Sequence, residues 1–389
     1  MSITAPQGFR AAGVTAGLKA SGKPDLALVV NDGPSKSAAA VFTSNRVAAA
    51  PVHWSRQVVT DGRVDAVVLN SGGANACTGA QGFQNTHATA ERVAAVLGVS
   101  AGDVVVCSTG LIGEQLPMDK LLPGVDAAAA ALDADGGSGA AEAIMTTDTV
   151  AKQAVYRGTG ADDGAGYTIG GMAKGAGMLA PGLATMLVVI TTDAEMAPEG
   201  LQVALRDATR VTFDRTDSDG CMSTNDTVVL LASGASGVTP DHVEFTVGLQ
   251  QVCADLARQL IRDAEGASHD IAITTVNAAS ERDAEVASRA VARSNLFKTA
   301  IFGNDPNWGR VLSAVGTTDA VFEPDQLNVS INGVQICRNG GIGDPRDLVD
   351  LSGREVTVEI DLQAGGASAT IWTNDLTHEY VHENSAYSS

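Results

Sequence analysis

Aromatic side chains are scarce in this chain, only 4% of 389 residues, so alanine and small aliphatics within the 44% hydrophobic fraction must do the packing. Positive charge is scarce as well. Twenty-five Lys and Arg against 45 Asp and Glu leave a net charge of -20, which argues against nucleic acid or anionic membrane as a partner, because both demand a basic footprint. Cysteine is sparse and odd in number: Cys77, Cys107, Cys221, Cys253 and Cys337 stand far apart with no CxxC pair. That pattern fits reduced thiols better than a disulfide frame or zinc knuckle. No apolar run approaches the ~20 residues of a membrane span, and no apolar signal core opens the chain. The expectation is a cytoplasmic protein with a large core.

What is present is an alternation of strand-like and helical segments. Residues 26–30, 66–69, 104–106, 186–190, 228–231, 271–276, 327–331 and 356–362 are the clearest strands. Leu249, Val252, Cys253, Leu256 and Leu260 recur on one helical face, and Ala90, Val93, Ala94 and Leu97 repeat that spacing. The mixture predicts α/β layers. Gly/Ala/Asp-rich stretches at 133–140 and 158–166 read as flexible loops.

Two motifs mislead. Gly170-Gly-Met-Ala-Lys-Gly-Ala-Gly177 looks like a phosphate loop, but its lysine precedes the glycine and no Ser/Thr follows. His378-Glu-Tyr-Val-His382 is a literal HExxH, a zinc site if helical. The β-like run 367–372 and Tyr380-Val381 predict a strand instead, which would separate the two imidazoles by ~13 Å. No metal is expected.

The most informative stretch is Lys174-Gly-Ala-Gly-Met-Leu-Ala-Pro-Gly-Leu-Ala184-Thr185-Met-Leu-Val-Val-Ile190, where a small-residue loop meets an apolar strand. A threonine there is an ordinary strand former. Its hydroxyl is also placed to attack the Ala184 carbonyl and cut the chain, after which the new N-terminal threonine carries its own base, a free α-amine.

Further along lie Asn70-Ser-Gly-Gly-Ala-Asn-Ala76, Cys107-Ser-Thr-Gly-Leu-Ile-Gly113, Ile144-Met-Thr-Thr-Asp-Thr149, Thr224-Asn-Asp-Thr227, Asp263-Ala-Glu-Gly266 and Asp305-Pro-Asn-Trp-Gly-Arg310. With the KGAGMLAPGLATML string and in this order, they resemble the glutamate N-acetyltransferase/ornithine acetyltransferase family, the arginine biosynthesis bifunctional proteins, over nearly the whole length. The resemblance implies a two-lobed, layered α/β sandwich of the ornithine acetyltransferase and N-terminal-nucleophile-like aminopeptidase type. It also implies self-cleavage between Ala184 and Thr185 into 1–184 (alpha) and 185–389 (beta), with two of each assembling as a heterotetramer.

The activity so implied is acetyl transfer from N2-acetyl-L-ornithine to L-glutamate through an acetyl-Thr185 ester. Thr109 and Gly110 would be the oxyanion donors, and Thr146, Lys174, Thr185, Glu265, Asn384 and Ser389 the substrate ligands. Lys174 would sit in the loop lining the cleft. Small-molecule amino acids are the expected partners, no cofactor is implied, and acetyl-CoA stays open as a further donor. Two other classes remain open at this point: a self-processing aminopeptidase-like hydrolase, and a non-catalytic metabolite-binding protein with an intact Ala184–Thr185 bond.

Overall fold

The computed structural model describes residues 2–160, 166–180 and 186–386. Ala184, Thr185 and Ser389 therefore lie outside the described residues.

Two sheets form the centre. The first runs in the order Phe9–Val14, Leu26–Asn31, Ala66–Ser71, Val104–Thr109, with its last two strands parallel. The second runs Ser37–Phe42, Thr227–Ala232, Leu187–Thr192, Gly166–Lys174, Lys152–Thr159. They pack face to face through Val29, Val67 and Val105 of one and Met172, Val189 and Val229 of the other.

Each outer face is covered by helices. Leu28, Val68 and Val106 meet Ala90, Val93, Leu121 and Val125 of the helices Gly79–Leu97 and Met118–Ala130. Val188, Ile190 and Leu230 meet Leu201, Leu205, Leu249 and Leu256 of the helices Pro198–Arg210 and His242–Arg262. This helix–sheet–sheet–helix stack explains why the central strands are continuous apolar runs: both faces are dry.

A third sheet of six strands, spanning residues 270–374, builds the remaining lobe. Helices Glu281–Ala292, Asn295–Phe302 and Trp308–Val315 contribute to the core on one face. Its strand Glu355–Asp361 alternates exposed and buried residues, the period of a sheet with one wet face. The layered α/β architecture is thus the expected one. The Leu187–Thr192 strand lies inside the second sheet, parallel to Thr227–Ala232 on one side and antiparallel to Gly166–Lys174 on the other. Chain from both sides of position 185 is therefore woven into one sheet.

Three expectations need correction. The stretch 133–140 is not simply loop, since a helix runs Gly137–Ala143. Gly136 answers a close approach rather than flexibility, for a Cβ there would stand 1.8 Å from the Ala11 carbonyl oxygen. Residues 158 and 159 end the strand Lys152–Thr159, and 166 begins the next; residues 161–165 lie outside the described residues.

The HExxH segment is a helix, His378–Ala386, and not a strand. The Thr377 hydroxyl accepts the Tyr380 N–H at 2.9 Å, and this N-terminal cap outweighs the weak β preference of a Tyr-Val pair. The strand-spacing argument against zinc fails with it. The His378 ring is packed edge-on against Phe302, centroids 5.4 Å apart. Among the described residues no group of three or more His, Cys, Asp or Glu is arranged to hold a metal ion, and no helix is long and apolar enough to cross a membrane.

Candidate active site

A cavity of about 700 Å³ opens beyond the carboxyl ends of the parallel strands Ala66–Ser71 and Val104–Thr109. Six residues singled out from the sequence line it together: Thr109, Gly110, Thr146, Lys174, Glu265 and Asn384. They come from five separate parts of the chain: Thr109 and Lys174 end strands, Asn384 lies in the helix His378–Ala386, and Thr146 and Glu265 sit in connections.

Thr109 is the last residue of its strand and 3% exposed. Its carbonyl accepts the N–H groups of Gly72 and Gly73 at 2.9 and 3.0 Å. Gly110 follows with φ +128°, where a Cβ would stand 2.5 Å from the Gly73 nitrogen. Only glycine satisfies both the backbone conformation and the close approach.

Lys174 is strand, not loop. It ends Gly166–Lys174 and is 2% exposed, and the Gly170–Lys174 run pairs with strands on both sides instead of cradling a phosphate. Its Nζ donates to Thr109 Oγ1 at 3.3 Å and lies 3.9 Å from Asp148 Oδ2. Burial pulls its pKa below the usual lysine value, an effect that Asp148 partly opposes and Lys152 reinforces.

Asp148, quoted within a motif but given no role from sequence, organises this floor. Its carboxylate accepts from Lys152 Nζ at 2.6 Å, Gly175 N–H at 2.7 Å and Thr146 N–H at 2.9 Å. Burial opposes its ionisation, yet the positive charges of Lys174 and Lys152 and the Gly175 N–H override that and hold it below the ordinary carboxylate range. Lys152, fully buried, is clamped on its other side by Asp263 at 2.5 Å. The Asp148–Lys152 spacing of four looks in sequence like an exposed helical pair, so nothing in the pattern marks it as buried.

Lys19 was also missed. It lines the cavity while donating to the carbonyls of Met145 and Pro24 at 2.6 and 2.8 Å, and burial lowers its pKa. A lone lysine between Leu18 and Ala20 carries no signal. Glu265 is 8% exposed, and its N–H donates to the Ala176 carbonyl at 2.9 Å, tying the end of the His242–Arg262 helix to the segment after Lys174. Asn384 stands exposed at the rim, with Nδ2 donating to Tyr380 O at 3.0 Å.

The arrangement offers what acyl transfer needs. Lysine ammonium has no acceptor, so Thr109 Oγ1 must accept from Lys174, leaving its own hydroxyl hydrogen free to donate. Glu265 lines the same cavity as Lys19 and Lys174, a mix of acidic and basic side chains that suits a zwitterionic ligand.

Comparison with known proteins gives the same direction. The ArgJ family model matches residues 10–389. Proteins named arginine biosynthesis bifunctional protein ArgJ from Streptomyces coelicolor and Thermobifida fusca are 68% and 67% identical over 389 residues, covering 100% of both chains in each pair. A crystal structure of ornithine acetyltransferase complexed with ornithine from Mycobacterium tuberculosis is 57% identical, with a TM-score of 0.44, covering 48% of this chain and 96% of that one.

Proposed function

The chain belongs to the ArgJ family, and from that premise we propose that it transfers an acetyl group from N2-acetyl-L-ornithine to L-glutamate, using Thr185 exposed by self-cleavage after Ala184. The Thr185 hydroxyl, losing its proton to the chain's own new α-amine, attacks the acetyl carbonyl. Thr109 Oγ1–H and the Gly110 N–H donate to the oxyanion, ornithine leaves, and an acetyl ester stays on Thr185. Glutamate then binds in the same cavity and its α-amine takes the acetyl group. One pocket serves both substrates because both carry an α-amino-acid head: Lys174 attracts a carboxylate and Glu265 an amine, with Thr146, Asn384 and Ser389 as further ligands.

The observation that carries this reading is the Lys174–Thr109 contact at 3.3 Å, which turns a threonine hydroxyl into a dedicated donor beside a buried positive charge. Fixed donors of this kind are usually the largest catalytic term in acyl transfer. The fragments 1–184 and 185–389 stay together because Leu187, Val188, Val189 and Ile190 are each no more than 2% exposed between neighbouring strands. At about 1.5–3 kcal/mol per buried aliphatic, that strand does not leave. We assign the oligomer as two of each fragment.

Intact-mass measurement tests it. Freshly purified enzyme should give masses for 1–184 and 185–389, and acid quenching after N2-acetyl-ornithine should add one acetyl group to the second alone. T185A should neither cut nor transfer. A single uncut 39.5 kDa chain with full transferase activity would overturn the reading. Acetate release without transfer to glutamate would favour the hydrolase.

A further inference from the structure

On each side of the expected cleavage point, at Met178 and Met186, a backbone N–H is held by a carboxyl with no role in the chemistry above. Downstream, Asp226 Oδ1 accepts the Met186 N–H at 3.0 Å. Upstream, Asp219 Oδ2 accepts the Met178 N–H at 2.7 Å, while Oδ1 accepts from Cys221 N–H at 3.1 Å.

Asp226 is fully buried, and its Oδ2 has no hydrogen-bond partner among the described residues. The Ser223 and Thr43 hydroxyls stand close enough to temper the effect of burial; Thr43 Oγ1 donates to Ser223 O at 2.7 Å, while Ser223 Oγ accepts the Asn225 N–H at 3.1 Å and keeps its own hydrogen to give. Asp226 forms no ion pair among the described residues, and the positive charge of Lys174 tempers its burial only from farther off. A buried carboxyl so placed is costly in its charged form. At the other end, Met178 has a φ of +54°, a conformation methionine rarely adopts, and its N–H is the one Asp219 holds.

We propose that Asp219 and Asp226 are positioning residues for self-cleavage, holding the backbone N–H groups of Met178 and Met186, with Asp226 alone continuing to hold Met186, the residue after Thr185, once the chain is cut. The asymmetry follows from connectivity. Once the Ala184–Thr185 bond is cut, Met178 is no longer joined to Thr185, whereas Met186 remains its next residue. Burial drives the Asp226 carboxyl well above its ordinary titration range and raises that of Asp219, in keeping with acceptors that need no charge.

This rests on the self-cleaving acetyltransferase reading, and the experiment separates the two. Full-length D226A, D226N and D219A are followed beside the wild type by the fraction cut against time, then by kcat and KM of the cut enzyme. Loss of one hydrogen bond to a buried group should slow cutting about tenfold in D226A and D219A. In cut D226A, kcat should fall about tenfold with KM nearly unchanged, whereas cut D219A should keep its kcat. D226N keeps the acceptor oxygen and should restore cutting and turnover most of the way to the wild type. Should D226A fail to fold, D226S removes the reach to Met186 while leaving a small polar group. An uncut wild type would sink the underlying reading. A wild type that cuts while D226A (or D226S) cuts equally fast would overturn the proposal alone, as would D226N no better than D226A or loss of kcat equal in D219A and D226A.

Discussion

Two buried aspartates near the cleft both feel burial and the Lys174 charge, but only one of them is in an ion pair. Asp148 is locked between Lys152 at 2.6 Å and Lys174 at 3.9 Å, takes two backbone N–H groups, and stays charged. Asp226, fully buried, has one N–H, one idle oxygen and no salt bridge among the described residues, and burial raises its pKa. Burial penalises the charge of both; only the partners differ. One carboxyl therefore supplies charge to the cavity floor, and the other supplies the backbone an acceptor that needs no charge.

Removing each one exposes the contrast. Asp148→Ala leaves Lys152 and Lys174 facing each other with Asp263 the remaining close counter-charge, so we expect a loss of about 3–5 kcal/mol, the cost of stripping one partner from a buried ion pair. Chemical denaturation would measure it. Asp226→Asn removes a carboxyl that is ionised in the unfolded chain but resists ionisation in the fold, so at neutral pH stability should hold or rise, by what the wild type loses between about pH 3.9 and neutrality. Equal losses would erase the distinction.

Thr109→Ala sharpens the first region further. It deletes the hydroxyl that contacts Lys174, and on the proposed oxyanion role kcat should fall about 10²-fold, the range for one lost oxyanion donor. KM should move little. Steady-state kinetics would check it, and an unchanged kcat with collapsed binding would make Thr109 a ground-state ligand.

The smallest effect is on pH dependence. For Asp148 the folded pKa is depressed, so its stabilising contribution is present above the unfolded value of about 3.9 and disappears as pH falls below it. For Asp226 the folded pKa is raised. The folded state then holds the proton longer, and stability declines as pH rises from about 3.9 through the folded titration. Asp226→Asn should abolish that decline and leave the acid limb intact. Melting temperature against pH, wild type beside variant, reads both limbs, and superimposable curves would show that Asp226 does not titrate abnormally.

The long apolar strands were legible because their runs are dictated by burial on both faces: 26–30, 104–106 and 228–231 fall inside Leu26–Asn31, Val104–Thr109 and Thr227–Ala232. Other strands were not. Ser37–Phe42 is alanine-rich and Gly166–Lys174 holds three glycines, compositions with poor β preference. They are strands because neighbours offer ladders and small side chains fit between layers.

The site divides in the same way. The order of short motifs named the family and singled out Thr109, Gly110, Thr146, Lys174, Glu265 and Asn384, since side-chain chemistry and local spacing are written in one dimension. Sequence could not reveal that Lys174 is buried near Asp148, that HExxH becomes a capped helix, or that Asp226 accepts the Met186 N–H. Those facts depend on which distant groups share a low-dielectric space. The chain determined its chemistry by residue type; the packing of sheets and helices decided which charges survive burial and which acids stay neutral.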